Sequence, residues 1–92
     1  MSVFQSQRFS YQEVALRAGV DPEFVEELVR VGAIEPDPND RTYFAAEVTI
    51  RVSKLRRLQN DLGVNLEGAA VIVHLLDRIA ELEQQLKALG RR

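Results

Sequence analysis

Four side chains within eight residues, Glu23, Glu26, Glu27 and Arg30, fall on one face if their segment is helical. The chemistry such a face can do is recognition of charge. Eight acids against two bases lie between Asp21 and Glu47, a local net of −6, although the whole chain carries only −2. Asp37, Arg41 and Tyr43 extend the surface into the segment that follows. Part of this charge has a local use: Asp21 and Glu23 stand at a helix N-terminus, where negative charge is favoured, and Glu26 and Arg30 form an i, i+4 pair. Glu23 and Glu27 together are not explained this way, since like charges four apart cost about 0.2–0.5 kcal/mol. A broad negative surface steers a basic partner.

Catalysis is not expected. There is no cysteine, which excludes thiolate chemistry and a disulfide framework, and with His74 as the single histidine a zinc site would need several carboxylates or ligands from another chain; no Ser/His/Asp set is apparent. No glycine-rich phosphate loop or HExxH motif occurs. His74 reads as a surface or interface residue, not a metal ligand, and no cofactor or metal is expected. No apolar run approaches the roughly 20 residues of a membrane span, and no apolar signal core opens the chain, so a soluble cytoplasmic protein is the expectation.

The elements that position these charges follow from local signals. Met1 to Phe9 carries no clear period; Val3, Phe4 and Phe9 contribute a short strand or cover the core. Ser10 with Glu13 is a capping box that starts a helix at Tyr11, with Tyr11, Val14, Ala15 and Ala18 inward and Gly19 as its stop. Asp21-Pro22 caps and opens a second helix, with Phe24, Leu28 and Val31 facing the core and Gly32 closing it. Two short helices and a tight turn make a helix-turn-helix. The run Pro36-Asp37-Pro38-Asn39-Asp40 is turn chemistry, and Ile34 is expected to pair with Arg41-Thr42-Tyr43-Phe44 around it as a small wing. A third helix spans about Ala45 to Leu62, burying Val48, Val52, Leu55, Leu58 and Leu62 and exposing Arg51, Lys54 and Arg57. Gly63 ends it and Asn65 caps the last helix.

That last helix carries two stripes. Ile72, Leu75, Ile79, Leu82, Leu86 and Leu89 repeat at heptad spacing over three heptads, a coiled-coil seam expected to meet a second copy of the chain. Leu66, Ala69, Ala70, Val73 and Leu76 lie on another face and are expected to pack on the preceding helices. The fold class expected is mainly α: a winged helix-turn-helix over 1–64 and a dimerisation helix over 65–92. A domain of 92 residues is marginal alone, and dimerisation helps it.

This order resembles the MerR-type winged domains from about Phe9 to Leu89. Val20 after the turn, Gly32-Ala33-Ile34 entering the wing, Tyr43-Phe44 leaving it and Leu55-Arg56-Arg57-Leu58-Gln59-Asn60-Asp61-Leu62-Gly63-Val64 before the last helix carry the resemblance. DNA-binding members usually have a Thr-x-Arg-Tyr-Tyr-Glu type run in the second helix; here it is Pro22-Glu23-Phe24-Val25-Glu26-Glu27-Leu28. Duplex affinity comes largely from Lys and Arg neutralising phosphates, so DNA is disfavoured as a partner. The acidic second helix, the short length and Leu75-Leu76-Asp77-Arg78-Ile79-Ala80-Glu81-Leu82 are similar to the CbpM-like chaperone modulators. That resemblance implies binding to the J-domain of a DnaJ/CbpA-type co-chaperone and inhibition of its action on the DnaK-type chaperone. Two alternatives stand beside it: a MerR-type DNA-binding regulator, and a dimerisation module of another complex. Arg78 and Glu83 suit parallel pairing of the long helices, whereas MerR-type relatives pair antiparallel.

Overall fold

The computed structural model describes residues 7–90: strand β1 Arg8–Ser10, helices α1 Tyr11–Ala18 and α2 Pro22–Arg30, strand β2 Tyr43–Ala45, and helices α3 Val48–Leu62 and α4 Leu66–Gly90. This is the expected mainly α, winged helix-turn-helix layout with a long last helix. Val3 and Phe4, and the tail beyond Gly90, lie outside the described residues.

α1 begins where its capping box directs. The Glu13 N–H donates to Ser10 Oγ at 3.2 Å, and the Ser10 N–H donates to Glu13 Oε1 at 2.8 Å, so two N–H groups that the helix cannot bond are satisfied. Gly19, at φ 72°, turns the chain out of α1 in a conformation that disfavours other residues. α2 opens with Pro22, but the extended Asp21 before it makes no side-chain cap bond, contrary to expectation. Leu28 is inaccessible as expected, but Val25 is buried with it, while Phe24 and Val31 pack only at the edge. With α1 packed along this helix, its centre of burial shifts toward Val25.

The expected pairing of Ile34 with the Tyr43-Phe44 run does not form. β2 pairs antiparallel with β1 instead, with Arg8 opposite Ala45, Phe9 opposite Phe44 and Ser10 opposite Tyr43. Hydrogen bonding explains the exchange. The N–H groups of Ala33 and Ile34 are already given to the Leu28 carbonyl at 2.9 and 3.4 Å, closing α2, and Pro36 and Pro38 have no N–H to offer. Ile34 is buried in the core. The turn chemistry itself is present: Asp37 Oδ1 accepts from the Asn39 N–H at 2.8 Å, Asp40 Oδ1 accepts from the Thr42 N–H at 3.1 Å, and the Asp37 N–H reaches the Tyr43 carbonyl at 2.8 Å. Because Ala45 is engaged in the ladder, α3 starts at Val48, three residues later than its periodicity suggests.

One core joins all the elements. Val14, Val25, Leu28, Phe44, Val52, Leu55 and Val73 are fully inaccessible, and Phe44 meets Tyr11 edge-on at 4.7 Å between ring centroids. Of the expected α3 stripe, Val52 and Leu55 are buried, Val48 and Leu58 lie at the rim and Leu62 is exposed. Asn65 caps α4, its Oδ1 accepting from the Gly68 N–H at 2.8 Å. Leu66, Ala69, Ala70 and Val73 insert into the core, while Leu76 does not: it stands 45% exposed, past the last turn that the rest of the chain covers.

Candidate functional site

Burial of Val25 and Leu28 fixes the rotation of α2. At about 100° per residue, Glu23, Glu26, Glu27 and Arg30 fall on the opposite arc, and all four are exposed. The chain therefore assembles the expected charged face. Between this face, the start of α1 and β2 lies a groove of about 540 Å³, lined among others by Tyr11, Gln12, Glu26, Val29, Arg30 and Tyr43. Glu26 and Arg30 thus share one concavity with Tyr43, which follows them in the chain by 17 and 13 residues. Tyr11 and Gln12 join it without any sequence signal that would have marked them.

The connection between α2 and β2 contributes less free charge than its composition suggests. Asp37 is half-buried and engaged: its carboxylate accepts from the Asn39 N–H and takes the Arg8 guanidinium at 3.4 Å. The Asn39 N–H is the main reason its carboxyl is held below the usual range, with Arg8 adding to it. Arg8 also lies over the Tyr43 ring, 5.2 Å from its centroid. Asp40 is held low by the Thr42 hydroxyl and then by the Thr42 N–H, and Glu13 by the Ser10 backbone N–H of the capping box. Arg41 is exposed and makes no ion pair among the described residues.

The basic cluster of α3 is not one exposed patch. Arg51, expected on the open side with Lys54 and Arg57, is drawn in: its Nε donates to the Ala33 carbonyl at 2.8 Å and its Nη1 to Asp77 Oδ2 at 2.7 Å, and Nη2 lies 3.5 Å from His74 Nδ1. It ties the segment after α2 to α4. Arg56 lies over the Phe24 ring at 5.2 Å, and Arg17 over Phe9 at 4.2 Å. Lys54 and Arg57 remain on the exposed side of α3. A side chain at the edge of a buried stripe, as Arg51 is beside Val52 and Leu55, is the only local hint of such a strut.

The heptad seam is open. Leu75, Ile79, Leu82, Leu86 and Leu89 are 41–68% exposed along a helix of 25 residues, about 37 Å long; Ile72, nearest the core, is half-buried. Val71 and Leu76 widen the apolar face. Arg78 pairs within its own helix with Glu81 at 3.1 Å. No helix among the described residues is long and apolar enough to cross a membrane.

Known proteins match this chain over nearly its full length. The family described as MerR HTH family regulatory protein matches residues 9–91. The chaperone modulatory protein CbpM of Escherichia coli O1:K1 / APEC is 33% identical over 86 residues, which cover 91% of this chain and 85% of the relative. The proteins of the same name from Escherichia coli strain UTI89 / UPEC and from O9:H4 strain HS align with the same identity and coverage. With its helix-turn-helix, its acid-faced second helix and its long last helix all inside the matched span, the chain belongs to the CbpM family of chaperone modulatory proteins, within the MerR helix-turn-helix family.

Proposed function

We propose that this protein modulates a chaperone system by binding the J-domain of a DnaJ/CbpA-type co-chaperone and hindering its action on the DnaK-type chaperone. The observation that carries the reading is the outer face of α2. In a chain aligned with CbpM over 91% of its length, the helix that would enter a DNA groove presents Glu23, Glu26 and Glu27. Phosphates repel such a face, whereas a basic protein surface is attracted to it. Glu23, Glu26, Glu27 and Arg30 are the principal contacts, with Asp37, Arg41 and Tyr43 at the margin. A second copy of the chain covers Ile72, Leu75, Ile79, Leu82, Leu86 and Leu89, because an apolar face of this length is costly to leave in water.

The test is a titration of the protein, at low and moderate salt, against the J-domain of its own organism and against duplex DNA from upstream of its operon. Saturable J-domain binding that weakens with salt, no DNA shift, and reduced J-domain stimulation of the chaperone ATPase are expected. Sequence-selective DNA binding without J-domain affinity overturns the reading. Converting Glu23 and Glu27 to Lys weakens J-domain binding by tenfold or more on the order expected for lost charge complementarity.

A further inference from the structure

Glu26 and Arg30 line the same groove one helical turn apart, about 6 Å between Cβ atoms, yet they are not bonded to each other. The ion pairs among the described residues are Arg8 with Asp37, Arg51 with Asp77 and Arg78 with Glu81. Glu26 and Arg30 are the charged side chains that line the groove, and this acid and base are left open on one wall. The rest of the lining includes the apolar and aromatic side chains of Val29, Tyr11 and Tyr43, and the Arg8 guanidinium, paired with Asp37, lies over the Tyr43 ring. Gln12 supplies both a donor and an acceptor at the rim.

Resting on the functional reading above, we infer that this groove is the specificity pocket of the partner-binding face. It seats a segment of the J-domain that carries both signs of charge about one helical turn apart, with an apolar side chain between them. Glu26 takes the cation, Arg30 takes the anion, and the apolar side chain lies over Val29 and the Tyr43 ring. The occupant follows from charge complementarity and continuity: Glu23 and Glu27 share the exposed arc of α2 with Glu26 and Arg30, so a partner drawn by those acids arrives with its neighbouring residues next to the pocket. The acids alone select any basic surface. Arg30 rejects a purely basic one and accepts a dipolar one, which is how an unpaired like charge narrows a choice of partner.

The experiment uses the full-length chain and the J-domain. The variants Glu26→Gln and Arg30→Gln change exposed groups and are checked for unchanged circular dichroism. Each is expected to weaken J-domain binding at least fivefold. In the isotope-labelled wild-type protein, amide shifts on adding the J-domain are expected to centre on Gln12, Val29, Thr42 and Tyr43. An oligolysine peptide is expected not to displace the J-domain at moderate salt. Wild-type binding with both variants within twofold, or displacement by oligolysine, overturns the pocket and leaves the functional reading standing. Concentration-dependent shifts of the groove in the protein alone also overturn it, because a second copy would then be the occupant. A wild-type protein that does not bind the J-domain overturns the functional reading itself.

Discussion

Single side chains hold this small fold at points where the backbone would otherwise be left unsatisfied. Ser10 is one: its hydroxyl bonds the Glu13 N–H and so closes the first turn of α1. Ser10→Ala is expected to lower stability by about 1 kcal/mol, read as a shift in the midpoint of a urea unfolding curve. Glu13, Asp37 and Asp40 all have carboxyls held below their ordinary range by hydrogen bonds to their ionised forms. A depressed folded-state pKa contributes stability above the unfolded value and loses it as pH falls through the folded one. The protein is therefore expected to lose stability progressively below about pH 4. Thermal unfolding between pH 6 and 3 checks this, with Asp37→Asn flattening the decline by removing one of the linked groups.

At the scale of elements, the attachment of α4 is the feature on which geometry depends. Leu66, Ala69, Ala70 and Val73 bury its first two turns, and Arg51 adds a polar clasp by reaching Ala33 on one side and Asp77 on the other. The guanidinium is only about a quarter exposed while Asp77 is nearly half exposed, so solvent screens part of the pair. Arg51→Met keeps the apolar stem and removes both hydrogen bonds. It is expected to cost about 1–2 kcal/mol, once hydration of Asp77 is allowed for, and to speed hydrogen exchange in α4 between Val71 and Asp77. A variant indistinguishable from wild type in both measurements would mean that apolar packing alone orients α4.

For the whole molecule, the consequence is an arm. Beyond Asp77 every described residue of α4 is exposed, and the apolar side chains there sit at heptad spacing. Proposed pairing with a second copy makes stability depend on protein concentration, because association favours the folded state. Leu82→Asp places a charge at the centre of the seam and is expected to yield monomers in sedimentation velocity, with a melting temperature that no longer rises with concentration. A dimer that survives this substitution would move the interface off the seam.

What the sequence determined by itself is whatever a few neighbouring residues can encode. Ser10 and Glu13 set the start of α1, Gly19 and Gly63 its stop and that of α3, Asn65 the cap of α4, and the heptad spacing from Ile72 to Leu89 the open face. The outward placement of Glu23, Glu26, Glu27 and Arg30 is of the same kind, since helical periodicity alone sorts buried from exposed positions. Tertiary structure decided the rest. β2 chose β1 over Ile34 because the N–H groups near Ile34 were already spent on closing α2 and the prolines had none to give. Arg51 became a strut because its partners, 18 and 26 residues distant, converge only when α3 packs against α4 beside the segment that follows α2. The groove that gathers Tyr11, Glu26, Arg30 and Tyr43 exists only where three elements meet. Local hydrogen bonding and periodicity act within one or two turns, whereas such meetings are chosen by the competition of every element for one shared core.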